Sequence, residues 1–306
     1  MSRDKIAWEG RNFILVLERK GRNSSKGKIG VIRSSGYTTT VKALNEPWLL
    51  TQLKVLPFSN RSHLSDPFIL PQTTKDLMAP YENTDSSVYN LFFTPECKGI
   101  RDAANEFLWF YEKIFCKDYE NTALIGHSKG GLLMAGMASY LQEATNILLI
   151  APTLGTPMGE ELAIRNLLQS YQNRQKNKKP FIKGEVAFLK LITHMIFSRR
   201  PVDQDMAMGS KFVEQLELQA LARHNSMLIM ALCPEGDCSI GEKFFRYYGN
   251  CLQLSKFGDG MVEIERQSLA APYVQRREII SATHPTVLKK AGVYIEDFLR
   301  DIKNNK

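Results

Sequence analysis

The chain has 306 residues, of which 43% are hydrophobic and 24% are charged. This length suits one large domain, or a core domain that carries one sizeable insertion. No segment approaches the roughly 18 consecutive apolar residues of a membrane span. The first residues, MSRDKIAWEG, also lack the apolar core of a secretory signal. A soluble, cytoplasmic protein is therefore predicted.

The net charge of +8 comes from 40 basic and 32 acidic residues. Basic residues are scattered along the chain, and their densest group, RQKNKKPFIK at residues 174–183, has the polar composition of an exposed loop. Because no recognition motif accompanies this charge, nucleic acid is not an expected partner. Docking of this basic loop on an anionic membrane surface is the alternative hypothesis.

Cysteine usage agrees with a reducing compartment. The five cysteines are an odd number at irregular spacings, which indicates reduced thiols rather than a disulfide framework. Cys233 and Cys238 have no second pair of ligands, so no zinc site is predicted.

The amino-terminal third contains short apolar segments between polar turns. Residues Asn12 to Leu17 and Lys28 to Arg33 flank the turn sequence RKGRNSSKGK, a pattern that predicts an antiparallel hairpin. Leu53 to Leu56 is a further candidate strand. The Pro- and Asn-rich passage from residue 57 to about 84 has little periodicity and receives no assignment.

From Ile100 onward the sequence alternates between helical and strand patterns. Apolar residues at helical spacing predict a helix; they are Ala103, Phe107, Phe110, Tyr111 and Ile114. A strand at Thr122 to Ile125, the turn GHSKGG, a small-residue helix (LLMAGMASYLQ) and a strand at Asn146 to Ala151 follow. Such alternation predicts a largely parallel sheet with helices on both faces.

Residues 159–222 interrupt this pattern. They contain no strong strand signal and show one helical face; its members are Phe188, Leu189, Ile192, Met195 and Ile196. A helical insertion is therefore predicted between two parts of one core, residues 1–158 and 223–306. The core resumes with a strand at Met227 to Leu232, a strand at Glu278 to Ser281 and a helix from Val287 to Ile302.

The segment from Gly126 to Gly130 matches the pattern GxSxG, in which a sharp strand-to-helix turn exposes a serine. Glycines beside Ser128 would let the strand and the helix approach closely. The backbone amide of Lys129 would then point at an oxyanion formed by attack of the serine hydroxyl. Ser128 is accordingly the candidate nucleophile.

A serine hydroxyl needs a base, and the base needs an acid that orients it. Asp259 lies between two glycines, and His284 follows the next strand, which gives the order Ser, Asp, His. Asp237, nearer the end of the preceding strand, is the second choice for the acid.

The other four histidines are excluded as the base by their positions in the chain. His63 precedes the serine, and His194 and His224 lie in or at the end of the insertion. His127 adjoins the nucleophile and is predicted to point away from it.

Four motifs carry a family resemblance over the stretch from about residue 100 to the end. LIGHSKGGLLMAG resembles the lipase form GHSxGG, and TLGTPMG resembles the segment after the next strand in bacterial lipases and related deacylases. DMAMGSKFVEQL resembles the Gly-Ser motif at the close of their lid region, and DGMVEIERQSL resembles their acid loop. The chain thus resembles the lipase and esterase branch of the α/β-hydrolase family.

This resemblance implies the α/β-hydrolase fold, with a mostly parallel central sheet flanked by helices and a helical, lid-like insertion. It implies a serine esterase or lipase that acts on a small-molecule or lipid ester, without metal or organic cofactor. Family members usually supply a second oxyanion amide from a His-Gly sequence after an early strand. Here the corresponding sequence is IGVIRSSGYTTT, so the backbone amide of Gly36 or Tyr37 is the candidate donor. An acyltransferase with the same triad and a non-catalytic binding protein on this fold are the alternatives.

Overall fold

The computed structural model describes residues 6–21, 29–34, 75–94, 96–155, 201–207, 209–233, 258–260, 262–284 and 286–304. Several predictions from sequence lie outside these residues. They are the strand at Leu53 to Leu56, the helical face at residues 188–196, the basic loop at 174–183, and the residues Gly36, Tyr37, His63, His194 and Asp237.

The described strands form a single sheet. In chain order they are β1 (Ile6–Glu9), β2 (Phe13–Arg19), β3 (Ile29–Ser34), β4 (Ser87–Phe93), β5 (Asn121–His127), β6 (Asn146–Ile150), β7 (Asn225–Leu232) and β8 (Arg276–Ser281). They lie side by side in the order β1-β2-β4-β3-β5-β6-β7-β8. Strands β4, β3, β5, β6, β7 and β8 are mutually parallel; β2 pairs antiparallel with β4, and β1 pairs antiparallel with β2. The predicted, mostly parallel sheet is confirmed.

The predicted hairpin between the first two apolar segments is wrong. Both segments are strands, β2 and β3, but β4 lies between them in the sheet. Phe13 of β2 pairs with Phe93 of β4, whereas Gly30 of β3 pairs with Ser87 at the start of β4. The Gly- and Asn-rich turn is a local signal, whereas β4, which lies between β2 and β3 in the sheet, is more than 60 residues from β2 along the chain. Burial of β4, whose sequence SVYNLFF is apolar on both faces, decides the pairing.

The helices lie between the strands and after them. The described α-helices are α1 (Lys75–Asn83), α2 (Ile100–Phe110), α3 (Lys129–Met137), α4 (Pro201–Gln204), α5 (Lys211–Glu214), α6 (Ile264–Gln267), α7 (Val287–Lys290) and α8 (Gly292–Asn304). A π-helical turn (Tyr111–Phe115) and a short helical turn (Cys116–Asp118) extend α2, and 3-10 helices cover Leu218–Arg223 and Ser268–Tyr273. The predicted last helix is present as two pieces, α7 and α8.

Two apolar layers sandwich the sheet. On one face, Phe107 of α2 and Leu132 of α3 pack on strand residues such as Leu124. On the other face, Met78 of α1 and Phe298 of α8 pack on the alternate strand residues. Helices on both faces of a parallel sheet bury strands such as β6 on both sides, which explains its nearly continuous apolar sequence.

The described residues near the end of the predicted insertion, from residue 201 onward, pack against the core. Val202 and Met206 belong to the same apolar layer as α2 and α3. The Asp205 carboxylate accepts a 2.6 Å hydrogen bond from the backbone N–H of Ile100 and so caps the start of α2. Ser210 caps α5 by accepting a hydrogen bond from the N–H of Val213. No helix within the described ranges has both the length and the apolar character that a bilayer span requires.

Candidate active site

Ser128 lies at the carboxyl end of β5, at the point where the chain turns sharply into α3. Its backbone has φ 57° and ψ −123°, a region that a residue with a side chain rarely adopts. Hydrogen bonds from Ser128 N–H to the carbonyl of Ile150, and to the Ser128 carbonyl from the N–H groups of Gly131, Leu132 and Thr153, hold this conformation. A strained serine at such a turn is the geometry of a nucleophile elbow.

The glycines around Ser128 are required by close backbone packing. A β-carbon on Gly126 would lie 2.6 Å from the carbonyl carbon of Gly130, and one on Gly130 would lie 2.5 Å from the carbonyl carbon of Ser34. Neither neighbour is the movable end of a side chain. The predicted reason for the glycines, close approach of strand and helix, is confirmed.

Gly130→Ala is therefore expected to lower the free energy of unfolding by about 3 kcal/mol or more, because an added methyl group must displace the backbone at the end of β3. Denaturant unfolding of the purified variant measures this loss. Gly292→Ala is the matched control, since its β-carbon would come no closer than 3.6 Å to Pro80. Equal stability of the two variants would contradict the packing argument.

Asp259 lies in a tight loop between β7 and α6. Gly260 has φ 91°, a left-handed conformation that favours glycine and turns the chain back. The loop is closed by two hydrogen bonds: Asp259 N–H donates to the carbonyl of Val262, and Val262 N–H donates to Asp259 Oδ1 at 2.7 Å. Asp259 is completely buried. One carboxylate oxygen is thus fixed by the loop itself, which leaves the other for a partner.

That partner is His284, which follows β8. Its Nδ1 lies 2.6 Å from Asp259 Oδ2, and its backbone N–H donates to the Asp259 carbonyl. Because a carboxylate only accepts hydrogen bonds, Nδ1 carries the proton, and the neutral ring has its acceptor at Nε2. This is the tautomer that a general base needs. The structure therefore brings together the Asp259 and His284 that the sequence order selects.

Gln267 of α6 is a buried polar residue that sequence reasoning missed. Its side-chain oxygen accepts from Ala231 N–H at 2.7 Å, and its side-chain nitrogen donates to the carbonyls of Ala231 and Val262. The amide thereby ties the Asp259 loop to strand β7. A glutamine in a short polar segment carries no sequence signal of this role.

His127 lies against the predicted base. The centroids of the His127 and His284 rings are 4.8 Å apart, and the rings are tilted by 36°. From its position beside Ser128 in sequence, the side chain is predicted to point away from the nucleophile; in the structure it contacts the base that would serve that nucleophile. This contact also brings the loop of His284 next to the serine turn, because His127 and Ser128 are consecutive residues.

Two side-chain oxygens near the Ser128 turn are buried without a hydrogen-bond partner among the described residues. They are the hydroxyl oxygens of Ser34 and Thr153. Ser34 ends β3 and pairs with Gly126, and Thr153 N–H donates to the Ser128 carbonyl. The chain that continues from Ser34 to Gly36 and Tyr37 therefore starts beside the serine turn.

Lys129 is the first residue of α3, so its backbone N–H lies at the positive end of the helix dipole. Its side chain is fully buried, and its ammonium group lies 5.1 Å from the centroid of the Phe93 ring. A cation over an aromatic face at this distance is a favourable contact.

His224 is another histidine that could serve as a base by residue type, but both of its ring nitrogens are hydrogen-bonded to backbone groups. It is 1% exposed; its Nδ1 accepts from the N–H of Thr145 at 3.1 Å, and its Nε2 donates to the carbonyl of Ala138 at 2.8 Å. These bonds require the neutral ring. Burial lowers the pKa of His224 below its ordinary value, the hydrogen bond to Ala138 opposes that change, and the charge of Arg223 adds to it.

The free energy of unfolding is expected to fall as the pH drops below about 6.5. The unfolded chain binds a proton at His224 near that pH, whereas the folded chain, with its lowered pKa, does not, so protonation favours unfolding. Denaturant unfolding at pH 8 and pH 5.5 measures the difference. His224→Gln should be less stable at pH 8 by about 1–3 kcal/mol through its lost hydrogen bonds, and should lose less on acidification. An unchanged pH dependence in this variant would contradict the assignment.

Neither a protein-family model nor a curated protein matches this sequence. Solved structures do match it. The mature form of Bacillus licheniformis lipase BlEst2 is 11% identical, with a TM-score of 0.56, and the match covers 93% of this chain and 97% of that chain. The propeptide form of the same lipase is 11% identical with a TM-score of 0.53, and the match covers 93% and 53% of the two chains.

A third similar structure is MGS-MChE2, an α/β hydrolase enzyme from the metagenome of sediments from the lagoon of Mar Chica, Morocco. It is 9% identical with a TM-score of 0.48, over 97% of this chain and 96% of that chain. The sheet order and the similarity to BlEst2 establish the α/β-hydrolase fold.

Proposed function

We propose that the chain is a serine hydrolase that cleaves carboxylic esters through an acyl-enzyme. The observation that carries this proposal is the buried Asp259–His284 pair, whose imidazole ring contacts the residue preceding a strained serine. A serine in an unfavourable backbone conformation beside an oriented imidazole is the combination that acyl transfer requires.

In the proposed mechanism the hydroxyl oxygen of Ser128 attacks the ester carbonyl carbon, and Nε2 of His284 takes the hydroxyl proton. Asp259 holds the imidazolium by its hydrogen bond to Nδ1. The alcohol then leaves with the proton from Nε2, and Ser128 remains acylated. A water molecule, deprotonated by His284, attacks the acyl group, and the proton returns to the serine as the acid departs.

The negative charge on the tetrahedral intermediate needs fixed hydrogen-bond donors. The amide of Lys129, which begins α3 directly after the nucleophile, is the first proposed donor. The second is the amide of Gly36 or Tyr37, in the segment that leaves β3 beside the serine turn. The register of Ser34 with Gly126 supports this second assignment, because it brings the start of that segment to the turn.

The proposed substrate is a small-molecule or lipid ester with an apolar acyl chain. The predicted helical insertion at residues 159–222 would cover the serine and accept that chain. The name lipase carried by the similar structure BlEst2 supports this class of ester. Contact of the basic loop at residues 174–183 with an anionic membrane stays a prediction, which salt-dependent binding to anionic vesicles tests.

Labelling with a fluorophosphonate probe, followed by mass spectrometry of the peptides, tests the proposal. The probe is expected to attach to Ser128, because only an activated serine reacts with it quickly. A panel of p-nitrophenyl esters of increasing chain length then measures the acyl preference, and product analysis with an added alcohol separates hydrolysis from acyl transfer. An unlabelled protein that turns over no ester would overturn the proposal in favour of a binding protein on this fold.

A further inference from the structure

His127 occupies an unusual position for a polar residue. It is 7% exposed, neither of its ring nitrogens meets full hydrogen-bond geometry with a partner among the described residues, and the backbone of His284 lies close enough to act on its pKa. Burial of an imidazole without good hydrogen bonds is unfavourable, so an apolar side chain at this position would stabilise the fold more. The aromatic contact that the structure gives this ring is the one with His284, at 4.8 Å between centroids.

Among the residues that the structure describes, the His284 imidazole is held by a hydrogen bond at one of its two nitrogens. Asp259 holds Nδ1 at 2.6 Å, and the opposite edge of the ring must remain open toward the serine. A single hydrogen bond at one edge lets the ring tilt and rotate about that point. A second contact, on the face of the ring, is needed to limit this motion and to keep Nε2 directed at the nucleophile.

We propose that His127 is the positioning residue that supplies this second contact, its ring forming the wall against which the His284 imidazole lies. The inference rests on the proposed function of the site. His127 suits the role because the next residue is Ser128 itself, so the wall and the nucleophile move together on one backbone. The distance between nucleophile and base is thereby set through two adjacent residues.

The protonation state of His127 agrees with this role. Burial, and next the proximity of the His284 ring, lower the pKa of His127 well below its ordinary value, and a contact with the backbone of His284 opposes this change only in part, so the ring is uncharged at neutral pH. An uncharged aromatic ring does not repel the imidazolium that forms on His284 during acyl transfer, and its face attracts a cation.

Two substitutions separate the ring contact from the chemistry of the nitrogens. His127→Ala removes the wall and is expected to lower kcat for a p-nitrophenyl ester by about 30-fold, with KM changed by less than about 2-fold, because the base is misdirected while substrate binding is kept. His127→Phe keeps a flat aromatic ring without nitrogens and should retain kcat within about 3-fold of the wild type.

Leu299→Ala is the matched control for a cavity. Leu299 of α8 is fully buried in the apolar layer that α1 and α8 form on one face of the sheet, and it is not one of the proposed catalytic residues. It should lower the thermal unfolding temperature with kcat unchanged. The proposal would be overturned if His127→Ala kept the wild-type kcat, or if His127→Phe lost as much of kcat as His127→Ala does.

Proton NMR of the His284 Nδ1–H provides a readout that does not depend on turnover. This proton, in a short bond to a buried carboxylate, should give a sharp downfield signal in the wild type and in His127→Phe, and a signal broadened by ring motion in His127→Ala. An equally sharp signal in all three would overturn the positioning role. Fluorophosphonate labelling of the wild type tests the proposed function separately. A failure of the serine-hydrolase proposal can therefore be distinguished from a failure of the positioning role of His127.

Discussion

Ser128→Ala is expected to lower kcat for ester hydrolysis by about 10⁵-fold or more and to abolish fluorophosphonate labelling, because the proposed acyl-enzyme then has no oxygen to form on. The remaining turnover would come from the oxyanion amides and substrate binding alone. The fold should be intact, since the Ser128 hydrogen bonds that hold the serine turn all use backbone atoms. Steady-state kinetics and far-UV circular dichroism measure the two effects.

Ser139→Ala is the matched control, because Ser139 follows the same helix and lies outside the proposed site. A further variant, Ser128→Gly, tests the strain at this position. Glycine tolerates φ 57° without penalty, so the variant should be inactive yet more stable than the wild type by about 1–2 kcal/mol. Ester turnover near the wild-type level in Ser128→Ala would remove Ser128 as the nucleophile.

Local sequence patterns predict part of the backbone geometry around the candidate site. The glycines around Ser128 report a close approach of backbones, and the structure has that approach at Ser34. Asp259 between two glycines indicates a tight turn, and Gly260 indeed has a left-handed backbone. The strands at β5, β6 and β7 are continuous apolar segments because both of their faces are buried.

What the sequence does not predict depends on contacts between distant segments. Strand β2 pairs with β1 on one side and with the distant β4 on the other, whereas the local turn signal between β2 and β3 favours a pairing that does not form. Strand β1 is a short edge strand whose side chains alternate between partly buried and exposed, so it has no continuous apolar pattern. His127 contacts His284, 157 positions away in the chain, and Gln267 bonds Ala231, 36 positions away. No sequence spacing indicates either contact.

Asp259→Asn is expected to lower kcat by about 10⁴-fold while the residue keeps its shape. The reason lies in the two fixed hydrogen bonds of the carboxylate. Val262 N–H donates to Oδ1, so the amide oxygen of an asparagine would occupy that side, and its NH₂ group would face Nδ1 of His284. Nδ1 must then accept a hydrogen bond, and the imidazole proton moves to Nε2. An imidazole protonated at Nε2 cannot take the proton of Ser128.

Asp297→Asn, an exposed substitution of the same type on α8, is the control for the change of charge. The rate of fluorophosphonate labelling should fall together with kcat in Asp259→Asn, because both depend on the same proton transfer, while KM should change little. The tautomer can be read directly from the nitrogen chemical shifts of His284. If the variant keeps more than about a tenth of the wild-type kcat, Asp259 is not the residue that orients the base, and Asp237 becomes the candidate acid to substitute next.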